Sequence, residues 1–326
     1  MFVNIAEIAE PVKEFFEKFD AAFEEKFHSQ VPLVDKVVNY IATKKGKLLR
    51  PLLVFLTAKL HGELVDKTMS AALVVEMFHT ATLVHDDVVD ESRLRRGSRT
   101  VNDIWDNKIS ILIGDLLFSK TLASIVDLHD THAVAILSAA AERITEGELL
   151  QIVLTDNSKV TEEEYFDLIS KKTASLFSAA CRMGALSIRD DETALKNMAG
   201  FGENYGIAFQ IRDDLLDYLG EADKLGKPTG NDLREGKVTL PLIHALNIAP
   251  SAARDKIFGI LEHGIKSDEE IDHIVKFVLT HGGVDYAKKL VRQFAARALD
   301  YLKPYQDSAA KKSLIQLVNH STNRDK

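Results

Sequence analysis

At 326 residues and 46% hydrophobic content, the chain can bury a sizeable core as one large domain or two. A net charge of −8 and a pI near 5.8 argue against a nucleic-acid binder, which needs a basic face, and against an anionic membrane surface as main partner. Cys181 stands alone, which excludes a disulfide framework and a cysteine zinc site and fits a reducing compartment.

Seven prolines occur and none lies between Pro51 and Pro228, a stretch rich in Ala, Leu, Ile and Glu, so long helices are expected. The N-terminus, Met1 to Glu7, acquires acids too early for a signal peptide and lacks the Arg/Ser bias of a transit peptide. Helical spacing is read over residues 11–28 and 31–43, then a break at Lys44 to Lys47, then a helix from Pro51 to about Gly62. Thr68 to Asp90 reads as a long helix, apolar nearly all round, hence central. A basic loop over 92–100 precedes helices at about 101–128, 131–154, 161–185 and 192–218. Gly220 to Gly236 is the clearest loop, and helices resume from Lys237. No run of about 18 uncharged apolar residues is read, since Asp115 interrupts even Ile109 to Leu117. The expectation is one all-helical domain over 1–326, cytoplasmic, with no transmembrane segment and no nucleic-acid partner.

One acidic pentapeptide occurs twice: Asp86-Asp87-Val88-Val89-Asp90 and Asp213-Asp214-Leu215-Leu216-Asp217. With 27 Asp in the chain, a random sequence holds roughly 0.2 copies of such a pattern, so two copies in apolar settings are informative. On a helix the positions i, i+1 and i+4 bring three carboxylates to one face, where they repel one another and raise each other's pKa unless a cation compensates them. The expected compensator is a hard divalent metal, Mg²⁺. The bland reading, surface acids serving helix dipoles, leaves the apolar flanks unexplained.

Cations recur beside these clusters: Lys47 and Arg50, Arg95 and Arg96, Lys227 and Lys237. Singly each reads as a solvated charge. Together with carboxylates and metal they describe a diphosphate site, where Arg offers a planar fork and Lys a point charge. The clusters could hold separate diphosphates or grip one through several metals. No nucleophile triad is evident.

These residues resemble the trans-isoprenyl diphosphate synthases, the polyprenyl synthetase family, in six ordered blocks. They are Gly46 to Pro51, His79 to Asp90, Arg95-Arg96-Gly97, Lys172-Thr173, Phe209 to Asp217, and Gly226-Lys227-Pro228 through Gly236-Lys237. The likeness is strongest to octaprenyl and solanesyl diphosphate synthases. It implies a single large bundle of mostly antiparallel helices around a central active-site cavity, a homodimer, and about three Mg²⁺ per active site.

By the same resemblance, Asp86, Asp87, Asp90, Asp213, Asp214 and Asp217 bind the metal. Lys47, Arg50, His79 and Arg96 hold the diphosphate of isopentenyl diphosphate. Arg95, Lys172, Lys227 and Lys237 touch the allylic diphosphate, farnesyl or geranylgeranyl, with Thr173 and Gln210 near the developing carbocation. The implied chemistry is ionisation, condensation and loss of a proton to released diphosphate. One departure is visible: the family's usual Gly-Gly-Lys-Arg is Lys45-Gly46-Lys47-Leu48 here.

Ala81 and Thr82, one turn before Asp86, are small where a growing hydrocarbon tail must pass, and Phe78 lies one turn deeper. The expectation is an all-trans product of about six to ten isoprene units, for a quinone side chain. The alternatives are a short-chain farnesyl or geranylgeranyl diphosphate synthase and a non-catalytic partner subunit. A terpene cyclase or a plain scaffold fits less well, because both acidic clusters and the Lys47/Arg50 pair are intact.

Overall fold

Alanine- and leucine-rich sequence without interior proline folds as helix nearly throughout, and 79% of the described residues are helical with almost no strand. The computed structural model describes residues 4–44, 46–155, 157–219 and 230–322. Lys227 and the Gly226 to Pro228 block lie outside the described residues.

The chain divides into two compact units, where the sequence showed no boundary. The first comprises Met1–Ala139, Leu176–Gly200 and Leu302–Leu317; the second comprises Ala140–Ser175, Phe201–Tyr301 and Val318–Lys326. In the first unit the order is α1 (Ile5–Ala9), α2 (Lys13–Phe27), α3 (Pro32–Thr43), α4 (Leu49–His61) and α5 (Asp66–Val89). A two-residue hairpin, β1 (Leu94–Arg95) and β2 (Ser98–Arg99), precedes α6 (Val101–Trp105) and α7 (Asn107–Val126). Helix α5 buries Ala71 to Val75, Met77 and Phe78, and it packs chiefly on α7 and α4. Phe19, Phe23 and Phe27 of α2 form an aromatic ladder, with Phe19 edge-on to Phe55 of α4 at 6.1 Å and Phe23 edge-on to Phe27 at 4.6 Å. Each such ring contributes more than its buried area through edge-to-face geometry.

Helix α8 (Thr131–Thr155) leads on to α9 (Glu162–Ile169), a π-helical turn (Ser170–Ala174), α10 (Ser175–Ile188) and α11 (Glu192–Leu216). Then follow α12 (Asn231–Arg234), α13 (Leu240–Ile248), α14 (Ser251–Glu262), α15 (Asp268–Thr280), α16 (Gly283–Asp300) and α17 (Ala309–Thr322). The second unit's core gathers Tyr165, Ile169, Ile211, Leu215, Ile243 and Ile274 among others. Capping boxes start α9 and α15: Thr161 Oγ1 accepts from Glu164 N at 3.2 Å and Glu164 Oε2 accepts from Thr161 N at 2.8 Å, with Ser267 and Glu270 doing the same.

Three expectations need correction. The loop over 92–100 contains a hairpin, because Arg96 and Gly97 both take positive φ (53° and 74°) and so form a turn whose twist suits paired strands. The helix over 101–128 is two helices, broken at Asp106. The helix over 161–185 carries the π turn, which alignment of apolar residues cannot reveal. By length and composition alone α7 could cross a membrane, although Asp115 and Lys120 interrupt it; the core helix of a soluble protein passes the same test.

Asp106 sits at φ 83° and ψ 167°, a conformation that costs an L residue on the order of 1–3 kcal/mol, while its Oδ1 accepts from Ile109 N at 3.0 Å and caps α7. Asp106→Gly trades the cap for relief of strain, whereas Asp106→Ala loses the cap and keeps the strain. Thermal melting is expected to place D106G near wild type and D106A lower by about 1–2 kcal/mol. Equal destabilisation by both would contradict this account.

Candidate active site

Asp86 and Asp87 occupy the last turn of α5, and Asp90 follows it, its N–H donating to Asp86 O at 2.8 Å. Asp87 is buried and accepts from Arg95 Nε at 2.7 Å, while Asp90 is exposed. Burial raises the Asp87 pKa and Asp90 adds to that; the Arg95 charge opposes both. Asn102 Nδ2 donates to the carbonyls of Asp87 and Ser92, both at 3.1 Å, so the segment after the cluster folds back on it.

The hairpin presents Arg95 and Arg96 from adjacent positions. The Arg96 guanidinium lies directly over Gly46, in the space that a Cβ there would take. Leu48, standing where the resemblance expects Arg, takes φ 50° and leads into α4. Lys47 lies in this segment. One turn on, Arg50 Nη1 donates to His79 Nε2 at 2.9 Å and its guanidinium rests 4.9 Å from the centre of the Phe177 ring. Arginine has no acceptor, so His79 Nε2 accepts and the imidazole is neutral. Burial and the charges of Arg50, Arg96 and Arg95 all push its pKa well below the ordinary value. His79, Asp87, Arg95, Arg96 and Gly46 line one cavity, together with Lys44 and Arg99.

Ala81 and Phe78 are buried and Thr82 is half-buried, its hydroxyl donating to His79 O at 2.8 Å. Phe78 is held edge-on by Phe118 at 5.3 Å.

In the second unit the π turn presents Lys172 and Thr173. Lys172 Nζ donates to Glu148 Oε2 (2.7 Å) and Gln151 Oε1 (2.8 Å) on α8. Gly147 permits this approach, since a Cβ there would fall 2.8 Å from Lys172 N. Arg143 Nη2 donates to the Ser170 carbonyl (3.2 Å) and hydroxyl (2.7 Å) and pairs with Glu203 at 2.8 Å, securing the start of the turn. Thr173 Oγ1 donates to Gln210 Oε1 (2.7 Å), Gln210 Nε2 to Asp214 Oδ1 (2.8 Å), and Tyr165 Oη to Asp214 Oδ2 (2.5 Å).

Asp213 is exposed and Asp214 buried. Burial drives the Asp214 pKa up to about 8, with Asp232 and Asp213 adding to it against the two donors. Asp217 follows the end of α11 and accepts from the backbone N–H groups of Asn231 (2.9 Å) and Asp232 (3.0 Å), capping α12. Asp232 is itself raised to about 6 by burial and Asp217, with Lys237 opposing. Lys237 Nζ pairs with Glu235 at 2.6 Å.

The three carboxylates of each motif do not converge as the sequence suggested. Successive helix positions are turned by about 100°, so the second aspartate of each copy faces into the protein, towards Arg95 or Tyr165. Among the described residues no three acidic, imidazole or thiol groups come together to cage a metal. Glu148, Gln151, Tyr165 and Asp232 escaped the sequence reading. The Glu148/Gln151 spacing of i, i+3 was the available signal for the first two, and Tyr165 had none.

The polyprenyl synthetase family model matches residues 31–278. The chain belongs to the polyprenyl synthetase family. It is thus a prenyltransferase, and enzymes of this family depend on Mg²⁺ and use isopentenyl and allylic diphosphates. It is 36% identical over 319 residues, 98% of this chain and 97% of the relative, to the all-trans-nonaprenyl-diphosphate synthase (geranyl-diphosphate specific) of Rhodobacter capsulatus. Identity to the octaprenyl diphosphate synthase of Escherichia coli (strain K12) is 32% over 324 residues, covering 99% and 100%. A solved decaprenyl diphosphate synthase from Rhodobacter capsulatus superposes with a TM-score of 0.94 at 35% identity, covering 99% of this chain and 100% of that one.

Asp214 supplies a pH test. Its raised pKa means that the folded chain keeps a proton that the unfolded chain releases near 3.8. The associated stability is complete below that value and is lost as pH rises through about 8. Asp214→Asn cannot lose this proton, so in chelator-treated buffer wild type is expected to lose more melting temperature than D214N between about pH 6 and 9. Parallel curves would contradict the assignment.

Proposed function

We propose that this chain condenses isopentenyl diphosphate with an allylic diphosphate to build an all-trans polyprenyl diphosphate of about six to ten isoprene units, the product feeding a quinone side chain. The observations that carry the reading are the Arg95–Asp87 ion pair at the first acidic cluster and, beside the second, Asp232 under the nearby charge of Lys237, in a chain that long-chain synthases match over 98–99% of its length.

Under this reading Asp86, Asp87, Asp90, Asp213 and Asp214 hold the metal, about three ions per site, and Asp217 supports them while capping α12. Mg²⁺, when bound, neutralises charge on the departing diphosphate and so lowers the barrier to ionisation. Arg95, Lys172, Lys227 and Lys237 hold the allylic diphosphate. Lys47, Arg50, Arg96 and neutral His79 hold that of isopentenyl diphosphate. The Thr173–Gln210 hydrogen bond fixes two oxygen dipoles for the allylic cation, with the released diphosphate taking the proton. Ala81 and Thr82 let the tail pass. The chain works in the cytoplasm as a homodimer: Ile111, Leu112, Leu122 and Val126 leave one face of α7 apolar and 45 to 63% exposed, suited to a second copy.

A shorter product is the second reading, favoured by Phe78 standing against Phe118 as a floor. Purified protein is to be given farnesyl or geranylgeranyl diphosphate, labelled isopentenyl diphosphate and Mg²⁺, and products resolved by chain length. The expected result is a Mg²⁺-dependent ladder ending at about six to ten units, lost by on the order of 10²-fold or more in Asp86→Ala and Asp213→Ala. Arrest at three or four units makes Phe78 the floor, and no incorporation overturns the proposal. Sedimentation of the same preparation is expected to give twice the 36.3 kDa chain mass, and a monomer would overturn the dimer.

A further inference from the structure

The cavity around His79 holds more cations than Arg95 and Arg96. Lys44, immediately after α3, and Arg99, on β2, line it too, beside Gly46 and Arg96. Most of this positive charge is already met by neighbouring acids. Arg95 pairs with Asp87 at 2.7 Å, Arg99 pairs with Asp103, and Glu76 and Asp87 lie near enough to Arg96 to offset part of its charge. His79 accepts from Arg50 and is neutral. Lys44 differs: among the described residues it pairs with no carboxylate, and its Nζ stands over the Tyr40 ring, 6.0 Å from the ring centre. Tyr40 is itself fixed, its hydroxyl donating to Arg99 O at 2.6 Å and its ring meeting Trp105 of α6 edge-on at 5.4 Å. An ammonium held over a fixed ring has few places to go, and it keeps its N–H donors for a ligand.

We propose that Lys44 is a further substrate-binding residue of this chain, a point charge for the diphosphate of isopentenyl diphosphate. The inference rests on the reading of this cavity as the place of that diphosphate. Under that reading the metal ions serve the departing allylic diphosphate. The diphosphate of isopentenyl diphosphate, which carries more than one negative charge, then depends on side-chain cations. Arginines already engaged by carboxylates attract an anion less than an uncompensated ammonium at the same distance. Lys44 lines the cavity together with His79 and Arg96, both assigned to isopentenyl diphosphate, and Gly46 between Lys44 and Lys47 is the residue over which the Arg96 guanidinium lies. The hairpin that presents Arg96 also supplies, from Arg99, the carbonyl that fixes Tyr40 under Lys44.

The test is steady-state kinetics with farnesyl diphosphate, labelled isopentenyl diphosphate and Mg²⁺ on wild type, Lys44→Ala, Lys44→Arg and Lys36→Ala. Lys36 is exposed on α3 and does not line the cavity, so it controls for loss of one positive charge from the same stretch of chain. The expected result is a KM for isopentenyl diphosphate raised about 10-fold in K44A and about 2-fold or less in K44R, with the KM for farnesyl diphosphate unmoved and K36A matching wild type. Lys44 is exposed, so both of its variants are expected to melt as wild type does. A KM for isopentenyl diphosphate that K44A leaves at the wild-type value overturns the inference. An equal rise for both diphosphates overturns it too, since Lys44 then attracts anions without distinguishing the two sites. Wild type that incorporates no isopentenyl diphosphate overturns instead the reading of the cavity on which the inference rests.

Discussion

The mutual repulsion of carboxylates held partly out of water is the constraint around which each acidic cluster is built. An unpaired buried charge is costly enough that the group neutralises itself or acquires donors. The protein uses a different compensation at each position. Asp87 has an ion pair with Arg95, Asp214 has hydroxyl and amide donors, Asp217 has two backbone N–H groups, and Asp232 has the nearby charge of Lys237. In each motif the second aspartate is anchored inward while another, Asp90 or Asp213, is exposed.

Strain gathers around the same residues. Leu48, Glu91 and Arg96 all have positive φ, and each adjoins a site segment: the Lys47 loop, the end of the first cluster and the arginine hairpin. A left-handed L residue costs on the order of 1–2 kcal/mol, which the surrounding contacts must offset. Arg96 gains a place over Gly46 in return, and the hairpin turn it enters sets Arg95 against Asp87.

The helical fold was legible because its signals are local: apolar spacing, the proline-free stretch and capping residues each act within a few positions. The acidic motifs were legible because repetition in apolar settings is improbable. What failed were features set by geometry beyond one turn. The two-residue hairpin depends on positive φ at Arg96, the break at Asp106 on a conformation that composition does not encode, and the π turn on contacts from Arg143 and Gly147. Convergence of three carboxylates was the natural reading of i, i+1, i+4 spacing, but the inward turn of Asp87 and Asp214 depends on partners 8 and 49 residues away, Arg95 and Tyr165. Tyr165 is invisible in sequence for that reason.

The central claim, that the acidic clusters await a metal carried with a diphosphate, is tested most directly by titrating the protein with Mg²⁺ alone, inorganic diphosphate alone, and both together. The account predicts weak binding of either component by itself, since among the described residues no three groups come together to cage a metal and the acids repel a bare anion, and tight binding of the pair. Diphosphate binding of equal strength with and without Mg²⁺ would contradict it.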